Sequence, residues 1–135
     1  MPAPISKRPA PFEDLSRRER QIMDAIYRRR KATAAEIRQD LPEAPSYSAV
    51  RTLLRILEEK GFVEHAADGP RYVYQPTAPL RTARRAAAKR LLDTFFEGSV
   101  PQAVATLLDV STANLSDAEL DELESRIEKA RKEGR

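Results

Sequence analysis

Ser48, Arg51, Thr52 and Arg55 recur at i, i+3, i+4 and i+7, the spacing that gathers side chains on one face of a helix. Two guanidinium groups flanked by small hydroxyls suit recognition rather than bond making. Arginine grips O6 and N7 of guanine in bidentate fashion, and small neighbours let a helix sit deep in a DNA major groove. An ordinary solvated helix face is the plain alternative, and the elements around the stripe decide between the two.

Those elements are legible. Ser46 is a good N-cap and Gly61 a good helix stop, and between them Val50, Leu53, Leu54 and Leu57 form the packing stripe of a helix of about four turns. Upstream, Ser16 with Glu19 makes a capping box behind Leu15, opening a helix whose apolar set is Ile22, Met23, Ile26 and Tyr27. Thr33 with Glu36 makes a second box for a short helix holding Ala34, Ile37 and Leu41, and Pro42-Glu43-Ala44-Pro45 forms a stiff turn before the central helix. A short helix, a tight turn and a longer helix with a polar stripe predict a helix-turn-helix. After Gly61, Phe62–Ala66 and Arg71–Pro76 read as strands joined through residues 67–70, which predicts the hairpin of a winged helix. His65, with no second histidine or thiol to join it, reads as a strand surface residue rather than a ligand.

Composition narrows the chemistry. The 135 residues include no cysteine and one histidine, which excludes disulfides, cysteine nucleophiles and cysteine metal sites, and no nucleophile, base and orienter can be assembled. No catalysis, cofactor or metal is expected. Nothing approaches an apolar membrane span or signal-peptide core, so no membrane insertion and a cytoplasmic location are expected. Residues 1–90 hold 19 Lys and Arg against 11 Asp and Glu, giving +8, whereas the remainder holds 5 against 10, giving −5. The basic part is a plausible footprint for nucleic acid. Residues 1–12, with four prolines and little apolar surface, read as a disordered arm.

The expected fold is therefore mainly α: an α+β winged helix-turn-helix domain over residues 13–78 and a C-terminal helical dimerisation domain over residues 79–135. In the latter, a helix over Leu80–Phe96 stops at Gly98, a short one spans Ser99–Leu108, and a third capping box, Ser116 with Glu119, opens the last. Leu91, Leu92, Phe95, Phe96, Leu107, Leu108, Leu120, Leu123 and Ile127 are more apolar surface than so short a segment hides alone, which predicts a homodimer.

Together, Leu15-Ser16 with Glu19 and Ile22-Met23, Tyr47-Ser48-Ala49-Val50-Arg51-Thr52-Leu53-Leu54, Leu57-Glu58-Glu59-Lys60-Gly61-Phe62-Val63 and Arg71-Tyr72-Val73-Tyr74 resemble the penicillinase-repressor family of BlaI-, MecI- and CopY-type transcriptional regulators. The resemblance spans residues 12 to about 133. It implies a homodimeric repressor of an inverted-repeat operator in double-stranded DNA. Base-facing positions then fall on Ser48, Ala49, Arg51 and Thr52 within the stretch opened by Tyr47, with Ser46 and Arg55 near phosphates and the wing at Arg71 and Tyr72. Members released by a sensor protease are cut at an Asn-Phe bond; the equivalent place here reads Ala105-Thr106-Leu107-Leu108, so the resemblance leaves a sensor protease open as a partner without carrying over the cut. Copper-responsive members carry a cysteine cluster that this chain lacks. A winged-helix module that docks protein instead of DNA is the competing expectation.

Overall fold

The computed structural model describes residues 15–134, and the arm expected over residues 1–12 lies outside them. The elements run α1 (Arg17–Arg29), β1 (Ala32–Thr33), α2 (Ala34–Asp40), α3 (Tyr47–Glu59), β2 (Val63–Asp68), β3 (Arg71–Pro76), α4 (Leu80–Phe95), α5 (Val100–Ser111) and α6 (Asp117–Glu133). The fold is mainly helical with a three-stranded antiparallel sheet in the order β1-β3-β2, the winged helix that the sequence pattern predicts.

Each expected helix start is built as its capping residues require. The Ser16 hydroxyl accepts from the Glu19 amide at 3.2 Å while the Glu19 carboxylate accepts from the Ser16 amide at 2.8 Å. Thr33 with Glu36 and Ser116 with Glu119 repeat the arrangement on α2 and α6. Helix α3 is capped by Ser46 alone, whose hydroxyl accepts from the Ala49 amide at 3.1 Å. It ends at Lys60, and Gly61 takes the left-handed φ of 87° that turns the chain toward the wing.

The winged domain closes around Ile22, Ile26, Ile37, Val50, Leu54, Leu57 and Val63, all fully buried. Burial of side chains of this size stabilises by about 1.5–3 kcal/mol each. Leu53, expected in the packing stripe, lies only partly buried at the edge of this core. Two electrostatic ties hold the helices in place. The buried Glu19 carboxylate meets the Lys60 ammonium at 3.0 Å, joining the start of α1 to the end of α3. Arg29 grips Asp40 through Nε at 2.7 Å and Nη2 at 3.0 Å, and this pair holds the Asp40 carboxyl below its ordinary value.

Two sequence expectations are corrected and one element is added. Strand β2 begins at Val63 and runs on to Asp68, so the hairpin loop shrinks to Gly69-Pro70. Helix α5 extends past Leu108 to Ser111 and passes into a 3-10 turn over Thr112–Asn114. The two-residue β1, which pairs Ala32 with Tyr74 and Thr33 with Val73, was not foreseen; two residues give no alternation to read.

The chain divides into two compact units, one through Arg90 and one from Leu91. Within the first, the start of α4 joins the winged core through buried Ala83, with Leu80 and Ala86 partly buried, and the Tyr27 hydroxyl donates to the Ala78 carbonyl at 3.0 Å. Within the second, α6 has no buried residue, whereas Ala103 of α5 is buried. Among the described residues no helix is long and apolar enough to cross a membrane.

Candidate nucleic-acid interface

Helix α3 presents its polar stripe as the spacing requires, with Ser48, Ala49, Arg51, Thr52 and Arg55 all exposed and Ser46 exposed at the cap. Local bonds already shape these groups. The Thr52 hydroxyl donates to the Ser48 carbonyl one turn back at 3.0 Å, which leaves its oxygen free to accept. The Ser46 and Ser48 hydroxyls lie 3.4 Å apart. Arg55 pairs with Glu59 at 3.0 Å; both partners are largely exposed, so this tie is weak and leaves the guanidinium available to a stronger anion.

The first turn of α3 differs electrostatically from those of α1, α2 and α6. Those three carry Glu19, Glu36 and Glu119 at the third position, whereas α3 has Ala49 there and no acidic residue in its first turn. The positive end of the α3 dipole thus has no carboxylate in its own first turn, which favours an approaching anion.

Beside this helix stands the wing. Tyr47, Arg51, Arg71 and Tyr72 line one cleft of about 330 Å³ together with Thr33, Ala34, Ala35, Pro70 and Tyr74. The Arg51 guanidinium lies 5.9 Å from the centre of the Tyr47 ring, close enough for a cation–π attraction that steadies it. Arg71 pairs with Asp68 across the hairpin tip at 3.0 Å, an exposed pair of the same weak kind as that of Arg55. Tyr74 is buried, and burial raises its phenol above the ordinary value against the opposing pull of Arg51. Of the residues expected to meet DNA, four therefore share a cleft, while Ser46, Ser48, Ala49, Thr52 and Arg55 occupy the exposed surface of the helix.

Sequence reasoning missed the role of His65 in this assembly. Its Nδ1 sits 2.7 and 2.8 Å from the two carboxylate oxygens of Glu58 on α3, and its ring stacks on Tyr72 with centroids 4.3 Å apart. The period-two spacing of Tyr72 and Tyr74 hinted at an aromatic face on β3, but the Glu58 partner depends on how α3 packs against β2, which no local pattern encodes.

The apolar residues expected to pair two chains divide by exposure. Leu91, Phe95, Leu107, Leu120, Leu123 and Ile127 are exposed, Phe95 by 72%, whereas Leu92, Phe96 and Leu108 are half-buried. Val100, Val104 and Val110, not singled out from the sequence, are exposed as well.

Comparison with known proteins identifies the family and the fold. The penicillinase repressor family profile matches residues 15–129. No curated protein sequence matches significantly. Among solved structures, the chain is similar to the hsRosR complex, with a TM-score of 0.59 at 20% identity, covering 77% of this chain and 95% of that one. It is also similar to a mutant of MarR from E. coli complexed with operator DNA, with a TM-score of 0.52 at 17% identity over 87% of this chain and 76% of that one. Reduced MarR from E. coli gives 0.50 at 18% identity over 87% and 78%. These likenesses show the fold, and the match over most of its length shows that the chain belongs to the penicillinase repressor family of winged-helix transcriptional repressors.

Proposed function

We propose that the protein is a homodimeric repressor that reads an inverted-repeat operator with α3 in the major groove and the wing on the flanking backbone. One observation carries the reading. Helix α3 exposes Ser48, Arg51, Thr52 and Arg55 over a first turn without acidic residues, and Arg71 and Tyr72 of the wing stand across a cleft from Arg51. Arg51 is the base-reading residue, with Ser48, Ala49 and Thr52 beside it and the Ala49 methyl suited to a thymine methyl. Ser46 and Arg55 take phosphates, and Tyr47 supports Arg51 from below. The solved MarR structure, itself in complex with operator DNA, supports DNA as the partner of this fold.

Dimerisation is assigned to residues 79–135, on the support of a last helix with no buried residue and of exposed Phe95, Leu107, Leu123 and Ile127. Release is assigned to a signal acting on this half, because severing the link between two half-site binders forfeits their mutual gain in effective concentration. Selection of bound fragments from genomic DNA, followed by a salt titration on the selected operator, tests the whole reading. Phosphate contacts make log K fall linearly with log salt by about 0.9 per contact on duplex DNA. A flat salt response, or no enriched inverted repeat, overturns it in favour of a protein-docking module.

A further inference from the structure

From the packing around the wing we infer that His65 is the positioning residue that sets the wing against the recognition helix, an inference that rests on the DNA-reading role proposed for both. The backbone shows why a tie is needed. Strand β1 pairs with β3 only at Val73 and Tyr74, midway along the strand. Outward from there, toward the tip, Ala67 and Asp68 pair with Tyr72 and Arg71 and with no third strand. An isolated two-stranded hairpin is marginal in water and free to bend.

Little else steadies the outer part. Every residue from Glu64 to Tyr72 is exposed. On one side the cleft of about 330 Å³ separates Arg71 and Tyr72 from Tyr47 and Arg51, so core packing does not fix their spacing. His65 supplies what is missing. A carboxylate only accepts hydrogen bonds, so the imidazole donates through Nδ1–H and the Glu58 oxygens accept, at 2.7 and 2.8 Å. The same ring lies parallel enough to Tyr72, at an interplanar angle of 27°, to stack on it, and makes a tilted contact with Tyr74 at 5.6 Å. One side chain thereby links the second half of α3 to Tyr72, a residue of the wing expected to meet DNA.

The test uses the full chain on its selected operator, with two chemical footprints that report the two parts separately. Protection of guanine N7 from dimethyl sulfate reports the helix in the major groove, and protection of flanking sugars from hydroxyl radical reports the wing. His65→Ala and Glu58→Ala are each expected to lower operator affinity about five- to twenty-fold. Both should lose the flanking protection, keep the guanine protection and leave the melting temperature nearly unchanged. Because both remove one tie, the double variant should bind no worse than about twofold below the weaker single. Glu58→Gln, which keeps an acceptor for Nδ1–H, should retain most of the affinity. Flanking protection that persists in His65→Ala, or fully additive losses in the double variant, overturns the inference while leaving the DNA-reading assignment intact. A wild-type protein that protects neither guanines nor sugars overturns that assignment, and this inference with it.

Discussion

Glu19 and Lys60, 41 residues apart, meet at 3.0 Å with the carboxylate almost wholly buried, so a residue of the first turn of α1 also anchors the end of α3. Burial alone would raise the Glu19 carboxyl. The Ser16 amide, the Lys60 ammonium and the Ser16 hydroxyl outweigh it and hold the group below its ordinary value.

Glu19→Ala removes a capping box and leaves Lys60 without this partner. It should destabilise the winged domain by about 2 kcal/mol, measured by chemical denaturation. Because the folded carboxyl is depressed, its contribution is complete above the unfolded value of about 4.3 and is lost as pH falls through the folded value. The gap between wild type and Glu19→Ala should therefore be constant near neutrality and narrow as pH falls below about 4.3. A gap that widens on acidification would reverse the assigned direction.

Arg51→Ala should cost little stability, within about 0.5 kcal/mol, since the side chain is exposed. Loss of a bidentate guanine contact at both half-sites should weaken specific binding by roughly 2–6 kcal/mol and spare most non-specific binding. Arg55→Ala should instead weaken operator and random duplex alike and flatten the salt slope. Fluorescence anisotropy on both duplexes separates the two; an Arg51→Ala protein that keeps its operator preference removes Arg51 from base reading.

Ala49→Glu should split stability from function. Glutamate at this position completes a capping box with Ser46 and compensates the helix dipole, raising stability by about 0.5–1 kcal/mol. It also sets a carboxylate against the DNA phosphates. The variant should melt higher yet lose operator binding by at least tenfold; a tighter-binding variant would mean that this end of α3 does not face DNA.

Leu123→Glu and Phe95→Glu place a charge on exposed apolar surface of the second unit. In the proposed dimer each should shift sedimentation at micromolar concentration from dimer to monomer, the range in which a Kd near 1 μM, about −8 kcal/mol, is lost on burying one unpaired charge per chain. Far-ultraviolet circular dichroism should stay unchanged. Dimers that persist in both variants would move the interface elsewhere.

Helix starts were legible because their information is local. Ser16 with Glu19, Thr33 with Glu36 and Ser116 with Glu119 each lie within one turn, and all three boxes form. The exposed stripe of α3 followed from period alone, since the opposing Val50, Leu54 and Leu57 had to go inside. What stayed hidden depends on contacts distant in sequence. Strand β1 exists because β3 offers Val73 and Tyr74 a partner. His65 read correctly as an exposed strand residue, but its grip on Glu58 arises only when β2 folds back along α3. The Arg55–Glu59 pair could have been read from its i, i+4 spacing.

The strand order β1-β3-β2 leaves β2 as the long outer edge of the sheet, and an open edge is where chains add to one another as fibres. This edge carries Glu64 and Asp68, and Pro70 and Pro76 follow at the hairpin loop and at the end of its neighbour β3. Two protein chains brought together edge to edge would set like charges side by side, which opposes aggregation through the wing while the apolar helices of the second unit remain free to associate.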